Sequence, residues 1–257
     1  MMSWARQIHL KNSDDLKVMR EAGRINASVL ATVKELLQPG VSTADLNAAA
    51  EDVLRKHGCI SPFKGYGHPP FPASITVSVN EELVHGIPSS KRKLKAGDIV
   101  SIDCGTILDG FVGDSAFTAG VGEISPEAQT LLNVTEGALN AAIEKMRPGN
   151  RTGDVSAAIQ RYVETRGFYV TREYTGHGVG RQMHEGPQVP NYGNAGTGML
   201  LKAGMTIAIE PMVLIGTADT KVLPDKWTVI SVDGSLTAHF EHSVAVTEGE
   251  PLILTVR

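Results

Sequence analysis

Acidic side chains recur in this sequence at the ends of short apolar runs, where they could hold a cation or move a proton. The first pair is Asp103 and Asp114, in "SIDCGTILDGFVGDSAFTAG". The Asp109–Gly110 step between two apolar runs predicts a β-hairpin. A loop centred between Leu108 and Asp109 sets Asp103 directly opposite Asp114, so both project from one face of the sheet. Carboxylates at that range repel, which costs stability unless one is protonated, a cation sits between them, or the pair splays into water. A second Asp-Gly signal, "SVDGSLTAHFEHSVAVTE", predicts another hairpin with Glu241 on a strand, and "LKAGMTIAIE" ends a further strand on Glu210.

The fifth candidate is His177, in the glycine-rich "YTGHGVGRQMH". A single histidine among glycines serves equally well as a structural residue. Beside four carboxylates, however, its imidazole completes an oxygen-rich set without a thiolate. Such a set fits Mn²⁺, Fe²⁺ or Co²⁺ better than a closed structural zinc site, with Zn²⁺ or Ni²⁺ as further options. Five side chains cannot fill the coordination spheres of two ions, so positions stay open for water and substrate, as hydrolysis requires.

An internal repeat would bring these residues together. "LKAG" opens the run to Asp103 at Leu94–Gly97 and the run to Glu210 at Leu201–Gly204. "PGVSTADLNAAAEDVLRKHG" (Pro39–Gly58) returns as "PGNRTGDVSAAIQRYVETRG" (Pro148–Gly167), each copy with a Thr able to cap a helix and a closing Gly suited to its C-terminus. Residues 14–37, behind a Ser13 N-cap, put Leu16, Met19, Val29, Leu30, Val33, Leu36 and Leu37 at helical spacing. "SPEAQTLLNVTEGALNAAIEKM" supplies the matching helix ahead of the second copy. The expectation is an α+β fold in one catalytic domain over residues 1–257, with half-repeats of about 13–122 and 123–248. An approximate two-fold would relate the halves, with one curved antiparallel sheet and helices on its outer face.

Composition narrows the class. At 257 residues, with 42% hydrophobic and 20% charged side chains, the chain can bury a core without disulfides. The net charge is −4, and the main basic cluster, "SKRKLK" at Ser90–Lys95, reads as a solvated turn, so no nucleic-acid specificity is expected. Cys59 and Cys104 have no metal-type spacing and fit a reducing compartment. The start, "MMSWARQIHLKNSDD", lacks an apolar stretch of signal-peptide length, and no segment reaches the roughly 18 apolar residues of a membrane span. A cytoplasmic protein with no membrane association is expected.

The order Asp103, Asp114, His177, Glu210, Glu241, with "GHGVGRQMHE", "IEPM" and "FEHSV" around the last three, resembles the type I methionine aminopeptidases from the first helix to Glu248. The resemblance implies the pita-bread fold and removal of the initiator Met from nascent polypeptide N-termini when the next residue is small. Glu210 and Glu241 stand too close in sequence for the long helical insertion of type II members. The resemblance also implies two divalent ions bridged by Asp114 and Glu241, with Asp103 on one and His177 and Glu210 on the other. A metal-bridging hydroxide would attack the Met carbonyl, with Glu210 as proton shuttle. His85 and His184 match the histidines that hydrogen-bond the substrate and stabilise the oxyanion; by composition alone, His85 is equally a turn residue before Gly86.

The same resemblance assigns the Met side chain an apolar pocket of Phe71, Met183 and Trp227. Two departures affect that pocket's surroundings. "GHPPFP" replaces the family's Gly-Tyr-His-Gly-Tyr-Pro, putting His68 and Phe71 where its tyrosines stand, and His239 occupies a place often held by Gln. A monomer acting on nascent chains, with a transient ribosome contact, is the expected form. A prolidase or aminopeptidase P shares the five ligands but carries a large extra N-terminal domain, and a non-catalytic relative would have lost ligands. The start "MMSW" would keep Met1 ahead of bulky Met2, and would lose Met2 ahead of Ser3 if initiated there.

Overall fold

The computed structural model describes residues 8–257, so "MMSW" and its expected processing lie outside the described residues. Two pairs of helices form, with caps that differ from the sequence reading. Asn12, not Ser13, caps α1 (Ser13–Glu35): its side chain accepts from the Asp14 and Asp15 N–H groups, and Asp15 accepts the Asn12 N–H in return. Ser42, not Thr43, makes the same reciprocal box with Asp45 at α2 (Thr43–Lys56). Ser125 caps α3 (Pro126–Ile143). At α4 (Thr152–Glu164), Asp154 accepts the Arg151 N–H at 2.7 Å, which again puts the cap one residue ahead of the expected Thr. A hydroxyl inside the first turn cannot reach back to the free N–H groups, whereas a side chain just before it can. Gly58 and Gly167, with φ of 67° and 82°, follow α2 and α4 as expected.

The strands are β1 (Ile75–Val79), β2 (Glu82–Val84), β3 (Ile99–Leu108), β4 (Phe111–Gly120), β5 (Tyr169–Val170), β6 (Thr175–Gly178), β7 (Glu185–Pro190), β8 (Thr206–Ile209), β9 (Met212–Leu214), β10 (Thr220–Val222), β11 (Val229–Ser231), β12 (Thr237–His239), β13 (Glu241–Ala245) and β14 (Leu252–Ile253). The largest sheet runs β1-β3-β4-β13-β8-β6-β7, with β14 beside β13, and its pairings are antiparallel. Its order runs in matching steps outward from the β4–β13 seam, with β7 an additional strand beyond β6. The two strands that follow "LKAG", β3 and β8, flank that seam on either side. Beyond them lie β1 and β6, the first strands of this sheet to follow each helix pair.

Two details of pairing differ from expectation. Asp109 and Gly110 take φ of 48° and 78°, the left-handed pair of a two-residue hairpin turn. Leu108 therefore pairs with Phe111, Asp103 with Ala116, and Gly105 with Asp114, a register two residues away from a direct Asp103–Asp114 pair. Because side chains alternate, a shift of two leaves both acids on the same face. The second Asp-Gly hairpin does not form. β11 is paired by β2 and β10, whereas β12 pairs with β9, and Asp233, accepting the Ser235 N–H, turns the chain between two small sheets.

Helices cover one face of the large sheet. Val100, Ile102 and Cys104 of β3 cluster with Val29, Val33, Leu46 and Leu54 of α1 and α2. Ile207 and Ile209 of β8 cluster with Leu131, Leu139, Ile159 and Val163 of α3 and α4. Cys59 and Cys104 are both free and buried. Among the described residues, no helix is long and apolar enough to cross a membrane.

One polar residue interrupts this apolar layer. Asn26 of α1 is fully buried; its Nδ2 donates to Cys104 O and, at 3.2 Å, to Gly113 O, and its Oδ1 accepts from Ser115 Oγ. These partners neighbour Asp103 and Asp114, so Asn26 fastens the two acid-bearing strands to the helix layer. Asn26→Leu should lower stability by about 1–3 kcal/mol, the cost of stranding buried polar partners. Urea denaturation checks this; an unchanged midpoint would show that the clamp contributes nothing.

Candidate active site

Sheet register puts the five candidate ligands on one face. Asp103 on β3 and Glu241 on β13 both stand opposite Ala116 of β4, and Asp114 is two residues from Ala116 on the same strand. On the far side of β13, His242 pairs with Ile209, so the next step places Glu210 beside Glu241. His177 of β6 pairs with Ala208, two residues before Glu210. With a side-chain period of two, all five project away from the helices.

Asp114 and Glu241 are 1% and 2% exposed, while Glu210 retains 13%. Asp114, His177 and Glu241 each present a ligand atom within 4.8 Å of the others. His177 Nδ1 donates to Gly178 O at 2.9 Å, which leaves the Nε2 lone pair 3.4 Å from Glu210 Oε1 and 3.7 Å from Asp114 Oδ2. A lone pair aimed at carboxylate oxygens repels them unless a proton or cation intervenes. Among the described residues, Asp103 Oδ1, Asp114 Oδ1 and Glu241 Oε1 are buried without a hydrogen-bond partner.

Charge reinforces the point. Burial, then Asp114, raises the Asp103 carboxyl well above its ordinary range; Glu210 and Glu241 are raised by burial and by both aspartates. Burial pushes Asp114 up to about 7, with hydrogen bonds from Glu241 and Asp103 opposing the rise. Burial also lowers His177 to about 3, so its imidazole is neutral and able to ligate. Unpartnered oxygens, crowded carboxyls and a neutral imidazole fit a divalent cation.

The acids line a cavity of about 170 Å³ whose other walls include Phe63, Phe71, Met183 and Trp227. Phe63 and Phe71 belong to one apolar cluster against which Met183 and Trp227 pack, with the Phe71 and Trp227 rings edge-on at 5.2 Å. His85 and His184 also line the cavity. His68 does not. Gly65 N–H donates to Phe71 O and Phe71 N–H to Tyr66 O, closing a loop whose tip at His68 is exposed. Tyr66 lines the cavity instead and shares a 2.6 Å hydrogen bond with His184 Nδ1. Its signal in the sequence was an aromatic between two glycines, Gly65 and Gly67, just upstream of "GHPPFP". Tyr174 and Met212 are further wall residues that sequence reasoning missed, and His239 lies 3.9 Å from both Glu210 and Glu241.

An antiparallel sheet with helices outside and clustered carboxylates on its inner face has the pita-bread architecture, here furnished as a metal-dependent hydrolase. Comparison with known proteins narrows that class. The pattern of metallopeptidase family M24 matches residues 17–248. The chain is 50% identical over 249 residues to the methionine aminopeptidase of Clostridium acetobutylicum, covering 97% of this chain and 99% of that one. It is 52% identical over 245 residues to methionine aminopeptidase 1 of Bacillus subtilis, covering 95% and 98%. Its backbone matches the crystal structure of methionine aminopeptidase from Thermotoga maritima with a TM-score of 0.95 at 44% identity, covering 98% and 100%. The chain belongs to metallopeptidase family M24, among its methionine aminopeptidases, and the family uses divalent metal.

The raised carboxyls predict an unusual pH dependence. A carboxyl whose folded pKa exceeds its unfolded value is least costly to fold while protonated. Without metal, stability should therefore fall as pH rises from the ordinary Asp value of 3.8 to about 7, where Asp114 ionises. Saturating Mn²⁺ should reverse the trend, because the ion binds the deprotonated ligands. Urea midpoints at about pH 5 and about pH 8, with chelator or with Mn²⁺, test both signs. Greater stability of the chelated protein at the higher pH would contradict an uncompensated acid cluster.

Proposed function

We propose that this protein hydrolyses the N-terminal methionine from nascent polypeptides with two divalent ions, in the manner of a type I methionine aminopeptidase. The observation that carries the reading is one cavity that combines the acid cluster with the apolar wall of Phe71, Met183 and Trp227. That wall suits an unbranched thioether side chain, which packs well against aromatic rings. Asp114 and Glu241 would help hold both ions, as the resemblance to methionine aminopeptidases implies. Asp103 is assigned to one ion, and His177 with Glu210 to the other. Mn²⁺, Fe²⁺ or Co²⁺ fits this donor set. Bound there, the ions would supply Lewis acidity at the scissile carbonyl and lower the pKa of water.

The chain's own groups do the rest. Glu210, partly exposed to the cavity, takes a proton from the attacking water and returns it to the leaving amine. Burial lowers both His85 and His184 to about 4, so each is neutral and offers one N–H to the substrate or the developing oxyanion. His85 is held at φ 60°, a left-handed backbone rare for a side chain of its size, with Tyr174 and Trp227 edge-on to its ring. Tyr66 orients His184 through their shared hydrogen bond. The resemblance to methionine aminopeptidases implies a narrow site beyond the scissile bond, which would favour a small second residue. The chain would act as a cytoplasmic monomer, in transient contact with the ribosome.

Peptide turnover tests the assignment. Met-Ala-Ser should be cleaved with Mn²⁺ or Co²⁺ and not with chelator, and Ala-Pro peptides should not be cleaved; the opposite preference would indicate a prolidase. Met-Ser-initiated tripeptides should exceed Met-Met-initiated ones in kcat/KM by on the order of 10²-fold, the effect of displacing the carbonyl by about 1 Å. Equal rates would exclude a narrow site.

Site variants separate the roles. Asp103→Asn and Glu241→Gln should lose metal and activity together. His85→Ala and His184→Ala should keep their metal and lose kcat by about 10²-fold. Loss of metal from either histidine variant would show that its role is misassigned.

A further inference from the structure

One buried ion pair has no part in the chemistry above. Lys11, in the segment leading into α1, places Nζ 2.5 Å from Glu185 Oε2, and the two side chains are only 5% and 4% exposed. Lys11 Nζ also donates to His9 O at 2.8 Å. Glu185 Oε1 accepts the backbone N–H groups of Arg181 at 2.8 Å and Gln182 at 3.1 Å. Glu185 thereby folds residues 181–185 back on themselves. Between its two ends stand Met183 and His184, both lining the cavity. The Lys11 N–H donates to Gly204 O at 2.8 Å, so the same segment is fastened to the second "LKAG" turn, which leads through β8 to Glu210.

Packing alone does not require a charge here. In the second half of the chain, the residue ahead of the α3 cap is Ile124, which packs against the apolar core. At the corresponding place ahead of α1, the chain instead buries an ammonium group, a costly choice that only close pairing offsets. The surroundings are built for that pair. A Cβ on Gly180 would lie 2.4 Å from Lys11 Cε, 2.5 Å from Nζ and 2.6 Å from Glu185 Oε1, so the pair fills the space a side chain would need. On the basis of the aminopeptidase reading, we infer that Lys11 and Glu185 are positioning residues. Their pair clasps the segment before α1 to the 181–185 loop and fixes where Met183 and His184 meet the substrate.

Lys11→Met keeps the apolar stem but leaves Glu185 buried without its cation. Well below the unfolding temperature, kcat on Met-Ala-Ser should fall roughly 10-fold or more, because small displacements of substrate-contacting groups are this costly. Bound metal should be unchanged. In protein labelled with ¹³C-methyl methionine, the Met183 resonance, assigned by its absence in Met183→Leu, should move. Lys11→Arg should restore most of the rate. Glu185→Gln, which retains a carbonyl for the Arg181 and Gln182 N–H groups, should lose a similar factor and carries the same readouts should Lys11→Met not fold. The double variant should lose little more than either single one. An unchanged kcat and Met183 resonance, with only a lower unfolding temperature, would make the pair a purely structural tie and overturn the inference; so would losses that multiply in the double variant. The methyl resonance is read without substrate, so a wild-type protein inactive on Met-Ala-Ser would count against the aminopeptidase reading alone.

Discussion

Mutual repulsion among four inward-facing carboxylates is the constraint on which the rest of this structure depends. Two unit charges 4 Å apart at an effective dielectric constant of 20 interact by about 4 kcal/mol. A typical hydrogen bond contributes only about 1 kcal/mol. No plausible set of hydrogen bonds could hold four ionised acids together, and three of the buried oxygens have no hydrogen bond at all among the described residues. The arrangement must be closed by protons or by cations. The helices on the outer face and the Asn26 clamp hold the strands in register while the inner face carries that burden.

The sheet's symmetry explains why an acid ends a similar strand twice. Asp103 and Glu210 lie on or just after the strands flanking the seam, and Asp114 and Glu241 lie on the two seam strands themselves. Each side of the seam thus supplies two of the four oxygen-donor acids. A peptide has a direction, so the parts suited to recognising it break the symmetry. His177, His184 and Met183 come from the second half, whereas His85, Tyr66 and Phe71 come from loops and turns of the first. The Lys11–Glu185 pair joins these two kinds of element, anchoring a second-half loop to the segment before the first helix.

Much of this was legible in the sequence because it follows from periodicity. The helix pairs, the "LKAG" strands and the four candidate acids rest on repeat spacing or on alternation along a strand, whereas His177 stood out only through its glycine-rich motif and the family resemblance. The Asp103–Asp114 register was misjudged by two residues, yet the face survived, since only an odd shift inverts a strand. The second hairpin failed because an Asp-Gly turn specifies a reversal of the chain, not which strands will pair after it; β11 and β12 found partners elsewhere. The pocket was the least legible part. His68 and Tyr66 are two residues apart in a glycine-flanked loop without periodicity, and which of them faces inward is decided by the closure of that loop. Lys11 gave no local signal at all, because its partner is distant in sequence.

The most direct test of the central claim is the anomalous scattering of Mn²⁺ in crystals grown near neutral pH with the ion present. Anomalous peaks are expected on the inner face of the large sheet, with Asp114 and Glu241 both in contact and His177 ligating through Nε2. Crystals saturated with Mn²⁺ that show no peak among Asp103, Asp114, His177, Glu210 and Glu241 would contradict it, and would mean that protons alone hold the acids together.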